Sequence, residues 1–143
     1  MTDYITRLQA ARIGRLATLD GVGQPNVLPV CFVMDGDRTI YTPVDRKPKK
    51  VPPERLARVR NILSQPRVAL VVDHYEEDWQ ELWYVVVRGT AGLISEQSTE
   101  ERGQALTTLR EKYQQYRTGM LPDDAPIIRI DIESITGWES KVS

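Results

Sequence analysis

The sequence predicts a mainly β fold, a small antiparallel β-barrel with peripheral helices. Three observations carry that expectation. Six segments read as strands, and the first of them are joined by short turns rich in Gly, Asp and Pro, as in an antiparallel meander. Segments with helical spacing are few. Gly89 and Gly92 interrupt the fifth strand segment, where a barrel needs a bend or bulge in order to curve.

In chain order, Asp3–Gln9 reads as a short helix. "RIGRLATLD" and "PNVLPVCFVMD" read as strands flanking the turn "DGVGQP". "DGDR" is the next turn and "TIYTPV" the third strand. "PKKVPPE" is excluded from regular sheet, because its three prolines remove ladder donors. A helix is expected from Pro53, since proline suits a first turn. Leu56, Val59 and Leu63 fall on its apolar stripe, Arg55, Arg58 and Asn61 on the opposite side, and "SQP" ends it. "RVALVVDHY" is continuous and mostly β-branched, which predicts a central strand. "LWYVVVRGTAGLIS" is the fifth strand. Ser98–Glu101, "STEE", has the pattern of a capping box, opening a helix with Ala105, Leu106, Leu109, Tyr113 and Tyr116 at helical spacing. "IIRIDIESITGW" alternates as a sixth strand, with Ile128, Ile130 and Ile132 on one face and Arg129, Asp131 and Glu133 on the other. No repeat or interdomain linker is visible, so residues 1–143 are read as one domain.

Composition removes several function classes. No apolar run approaches the roughly 20 residues of a membrane span. The N-terminus shows no long apolar stretch of a signal peptide, and a cytoplasmic location is expected. Cys31 is the single cysteine, so neither a disulfide framework nor a Cys-based metal motif is expected. It reads as a small buried side chain.

Charge is distributed unevenly. Seven of the nineteen Lys and Arg lie between Arg46 and Arg60, against one of the twenty Asp and Glu, leaving twelve and nineteen elsewhere. A globally basic nucleic-acid binder would not look like this. A basic patch on an acidic body suits a small concentrated anion such as a phosphate. No aromatic residue lies between Asp45 and Pro66 to stack on bases, which argues against RNA.

Catalytic constellations are missing. His74 is the only histidine, and no nucleophile elbow, Walker A or dinucleotide-binding glycine pattern is present. "DHYEEDW", Asp73 to Trp79, reads as a solvated strand end, and no metal site is expected. Trp79, Trp83, Tyr84 and Trp138 could cover a flat ring or fill the core. Trp138, at the end of the last strand, is the candidate for a cofactor edge or a subunit contact.

In "G-x-L-A-T" at Gly14–Thr18, "G-x-P" at Gly23–Pro25 and "R-N-I-x-x-x-P-R-V-A-L" at Arg60–Leu70, the chain resembles the pyridoxamine 5′-phosphate oxidase-like split-barrel flavoproteins. It looks closest to the branch dependent on the deazaflavin coenzyme F420. The resemblance implies a six-stranded split barrel of the FMN-binding type and a homodimer with cofactors in grooves between subunits. It implies FMN or coenzyme F420 as cofactor. Lys47, Lys49, Arg55 and Arg58 would hold the phosphate, with Asn61 fixing the helix. Leu28, Pro29 and Val30, with Tyr41, Thr42, Pro43 and Val44, would run beside the ring, and Trp138 of either subunit would flank it. The activity implied is hydride transfer to a small organic substrate, with Tyr41 and Tyr84 as candidate proton donors. Counterparts of the substrate-binding residues of true pyridoxamine phosphate oxidases are missing, so oxidation of vitamin B6 is not expected. The competing readings are a cofactor carrier, a polyanion binder, and a heme protein that would need His74 or another ligand facing a cavity.

Overall fold

The computed structural model describes residues 3–44 and 56–140. Arg46, Lys47, Lys49, Lys50 and Arg55 therefore lie outside the described residues. The elements are α1 (Tyr4–Ala10), β1 (Gly14–Leu19), β2 (Pro25–Val30), β3 (Val33–Asp35), β4 (Thr39–Pro43), α2 (Ala57–Ser64), β5 (Arg67–His74), β6 (Trp83–Leu93), α3 (Thr99–Lys112) and β7 (Ile127–Glu139). They form one antiparallel sheet in the order β2-β1-β5-β6-β7-β4-β3, rolled but not closed.

The count is seven strands, not six, because "PNVLPVCFVMD" is two elements. β2 pairs with β1, whereas β3 pairs with β4 at the other edge of the sheet. The chain changes sheet edge at Cys31–Phe32. There Tyr113 and Lys112 replace the ladder partners. The Phe32 N–H donates to the Tyr113 hydroxyl at 2.9 Å. The Phe32 carbonyl accepts from Lys112 Nζ at 2.9 Å and from Tyr113 at 3.0 Å. Buried backbone groups must find partners, and here those partners come from some 80 residues further along the chain.

The central position expected for β5 holds, since it pairs with both β1 and β6. The expected bend at Gly89 is also present. The β6–β7 register shifts between Arg88 and Gly89, and a Cβ on Gly89 would lie 2.1 Å from the Asp131 carbonyl oxygen. Gly92 has no such role, as nothing lies within 4 Å of its absent Cβ. Gly137 permits another close approach, with the Tyr4 ring of α1 2.7 Å from where its Cβ would stand.

The barrel interior is aliphatic, built on Leu16, Phe32, Ile40, Leu70, Val72, Val85, Ile128 and Ile130. A second cluster lies on the other side of β3, β4 and β7. There Leu106, Leu109, Tyr113 and Tyr116 pack against Val33, Tyr41 and Ile127. The capping box does not form: Ser98 is the N-cap but makes no side-chain cap bond. Glu101 instead accepts from the Tyr41 hydroxyl at 2.7 Å and from Arg129 at 3.0 Å, a tertiary use that no local spacing reveals. No helix among the described residues is long and apolar enough to cross a membrane.

Candidate functional site

The described part of α2 seats itself differently from the expected stripe. Val59 and Ile62 are buried, while Leu63 is 63% exposed. The helix is thus rotated so that Asn61, expected on the polar side, points inward. Its Nδ2 donates to Thr18 Oγ1 on β1 at 2.9 Å, and both side chains are buried. A buried amide needs such a partner, and the pair fixes α2 to the C-terminal end of β1. The expected start at Pro53 falls outside the described residues.

Arg58 lies one turn before Asn61. Its Nη2 donates to the Pro43 carbonyl at the end of β4, at 3.2 Å. Thr42, buried, donates from Oγ1 to the Cys31 carbonyl at 2.7 Å. The Val44 N–H donates to the Pro126 carbonyl at 2.9 Å. A corner is therefore built from the exit of β4, the bend at Cys31 and the side of α2. It brings together Arg58, Asn61, Thr42, Pro43 and Val44 of the residues singled out from sequence. Lys47, Lys49 and Arg55 belong to the segment leading into α2 and lie outside the described residues.

Leu28, Pro29 and Val30 form the end of β2, an edge strand of the sheet. Val30 is buried and packs in the barrel cluster with Val44, Val59 and Ile62. Leu28 is 36% exposed, and Val27 beside it 57%. Among the described residues the outer edge of this strand is not paired with another strand, and Pro25 and Pro29 remove two of its N–H groups, which limits edge-to-edge association.

Trp138 is not part of this corner within one chain. It stands opposite Tyr84, which stands opposite Asp73 near the far end of β5. Asn61 anchors at Thr18, next to Ala17, which stands opposite Ala69, four residues and roughly 13 Å along the strand from Asp73. Trp138 and Tyr84 instead stack on each other, with ring centroids 5.9 Å apart and both rings nearly half exposed. Tyr41 is also turned elsewhere: its hydroxyl is committed to Glu101. Burial first, then that hydrogen bond, pushes its phenol above the ordinary range, which makes it a reluctant proton donor. The same bond, with help from Arg129, holds Glu101 below its usual value.

His74 sits exposed at the end of β5, against Glu76 at 2.5 Å and stacked on Trp83. Among the described residues no three His, Cys, Asp or Glu side chains could share a metal ion. The outer face of the sheet carries a different signal. Ala17 lies opposite Ala69, and Val71 opposite Val86. These small apolar side chains are half-buried in the single chain. They explain why β5 reads as continuously apolar: its inner face meets the core, and its outer face is apolar as well.

The fold defines a class, the antiparallel split barrel. The chain matches the family model described as pyridoxamine 5′-phosphate oxidase over residues 3–139, and it belongs to that family. It is 34% identical over 99 residues to a 5a,11a-dehydrotetracycline/5a,11a-dehydrooxytetracycline reductase of Streptomyces rimosus, a match covering 68% of this chain and 66% of that relative. Among solved structures it resembles an FAD-binding protein from Mesorhizobium loti, with 26% identity, a TM-score of 0.67, and coverage of 93% of this chain and 90% of the other. It also resembles a structure titled F420 reductase, with 22% identity, a TM-score of 0.66, and coverage of 95% and 98%. Proteins titled as heme-storage and heme-binding share the fold too. The chain is thus of an oxidoreductase-type family, as its resemblance implied.

Proposed function

We propose that this chain is a homodimeric oxidoreductase that uses coenzyme F420, or FMN, to transfer hydride to a small organic substrate. The observation that carries the reading is the corner where Arg58 meets the Pro43 carbonyl at the exit of β4. It lies next to the segment that concentrates seven basic residues and one acidic residue.

The corner fits a flavin-type group on three counts. Arg58 puts a guanidinium at one end, as a phosphate requires, and the basic segment precedes it in the chain. The edge of β2 and the end of β4 offer backbone polar groups, suited to a heterocycle. Leu28, partly exposed on β2, supplies an apolar surface beside them. Lys47, Lys49, Arg55 and Arg58 would hold the phosphate, and Asn61 would keep α2 in place through Thr18. Leu28–Val30 and Tyr41–Val44 would flank the ring. When bound, such a cofactor supplies the hydride chemistry itself, so the protein need only bind, orient and exclude water. That accounts for the scarcity of acid–base groups near the corner. The basic residues beyond one phosphate's needs, Arg46, Lys50 and Arg60, favour F420, whose tail is acidic. The relative named as a reductase supports catalysis over storage.

The outer sheet face of Ala17, Ala69, Val71 and Val86 supports the dimer. A second copy seated there would bring its own Tyr84–Trp138 pair with it, a route by which Trp138 could reach the partner's Arg58 corner. Val71→Arg should yield monomers by sedimentation and abolish cofactor binding together with them. A variant that stays dimeric would break this part of the reading.

The decisive experiment titrates purified apoprotein with FMN and with F420, followed by fluorescence. A Lys49→Ala, Arg58→Ala double variant should bind the preferred cofactor roughly 100-fold more weakly, two charge-assisted contacts at about 1.5–3 kcal/mol each being at stake. Unchanged binding would refute the site. Tight binding without faster oxidation of the reduced cofactor, across candidate substrates, would make the chain a carrier instead.

A further inference from the structure

A second group of cations occupies the barrel end opposite α2. Arg7, Arg12 and Arg15 line a cavity of about 430 Å³ between the α1–β1 connection and the ends of β5 and β6. Ala10, Ala11 and Ile13 form an apolar wall, and Trp83 lies across from them. Asp73 is the one carboxylate among the described lining residues, and Arg15 engages it at 3.1 Å.

The other two arginines are incompletely matched. Arg7 lies with Cζ 4.5 Å above the Trp83 ring and donates from Nη2 to Glu139 at 3.2 Å. Its Nη1 is buried, with no hydrogen-bond partner among the described residues. Arg12 donates to the Lys112 carbonyl at 2.7 Å and rests over the Tyr113 ring, with no carboxylate engaged among the described residues. A structural strap between α1 and β7 would need the Arg7–Glu139 pair alone. It would not need two further guanidinium groups around a cavity.

We propose that this cavity binds a small planar organic anion. Its carboxylate or phosphate lies among the guanidinium groups, and its flat body lies along the Ala10–Ile13 wall, beside the edge of Trp83, whose face Arg7 covers. Guanidinium forks match both anions and are weakly hydrated enough to work beside an aromatic ring. An apolar lining with a few convergent polar groups is the usual make-up of a small-molecule site, and it favours an organic anion over an inorganic one. The site is independent of the cofactor corner, because α1 and α2 cap opposite ends of β1.

The test titrates the full chain with phenyl phosphate, benzoate and inorganic phosphate. Readouts are the indole resonance of Trp83 and the arginine Nε–H resonances in labelled protein. Saturable shifts at Trp83 and Arg7 are expected for the two aromatic anions, with phenyl phosphate binding roughly tenfold tighter than inorganic phosphate. Ile13→Glu, at a wall residue 44% exposed, should weaken phenyl phosphate roughly tenfold by like-charge repulsion while leaving the melting temperature unchanged. Arg7→Lys keeps the charge but loses the fork, and it should weaken binding several-fold; if it does not fold, Ile13→Glu decides alone. Binding should survive the Lys49→Ala, Arg58→Ala double substitution. Absence of saturation, equal affinity for inorganic phosphate, parental affinity in Ile13→Glu, or loss of binding in the double variant would each overturn the proposal.

Discussion

α3 and α2 both dock on the sheet and both carry arginines, yet they use charge in opposite ways. Along α3 the cations are fasteners. Arg102 donates to the carbonyls of Asp123 and Ala125, and Arg110 to the Leu121 carbonyl and the Asp123 carboxylate. Lys112 holds the Phe32 carbonyl, and Arg129 grips Glu101 from β7. α2 is seated mainly by two aliphatic side chains and the Asn61–Thr18 pair, to which Arg58 adds a bond to the Pro43 carbonyl. Its basic neighbours have almost no acids within their own segment to neutralise them. The difference teaches that a run of positive charge is informative when local acids do not accompany it. α3 has Glu100, Glu101 and Glu111 among its cations, whereas the approach to α2 has Glu54 alone.

Substitutions should separate the two helices. Leu109→Ala, at a side chain with no exposed surface, removes the centre of the α3 cluster. It should cost about 2–5 kcal/mol in chemical denaturation, while cofactor affinity of the folded fraction stays at the parental level. Asn61→Ala should cost less, about 1–3 kcal/mol, because it strands the Thr18 hydroxyl in a buried position. Its loss of cofactor affinity should nonetheless be the larger of the two, since α2 is what aims Arg58. Equal losses of affinity would show that the two helices are not functionally distinct.

Legibility followed the reach of each interaction. The alternation of β7 was readable because period two is local: Ile128 and Ile130 are buried and Arg129 and Asp131 exposed, as expected. Gly89 was readable because the bulge needs a missing side chain at that position. The break after Val30 was not, since the groups that satisfy Phe32 lie on α3. Glu101 has the spacing of a capping partner, but Tyr41 and Arg129 offer stronger bonds than the helix end does. The α2 stripe was misjudged by one residue for a related reason. Leu63 and Ile62 are equally apolar, and the choice between them was made by Asn61, whose partner Thr18 lies 43 residues earlier. Of the candidate site, the structure brings Arg58 against the β4 exit, at the Pro43 carbonyl. That Trp138 lies at the opposite end of the sheet depends on register, which composition does not show.

The smallest expected effect sharpens the contrast at the C-terminal end of α3. Burial first, and the Arg12 charge second, push the Lys112 ammonium down to about 8 from its ordinary 10.5. Its folded pKa therefore lies below its unfolded one. Between about pH 8 and 10 the unfolded chain holds more proton on this group than the folded chain does, so stability should rise with pH across that window. Tyr113, which burial pushes up to about 12 from 10, acts the other way. Above pH 10 the unfolded chain loses that proton first, and stability should fall. Urea midpoints measured from pH 7 to 11 should thus climb and then turn over near pH 10. Lys112→Met should flatten the climb without moving the turnover. A climb of unchanged slope in that variant would mean that the charge on Lys112 is already accommodated at neutral pH, and that the α3 cations are even more thoroughly absorbed into structure than their hydrogen bonds indicate.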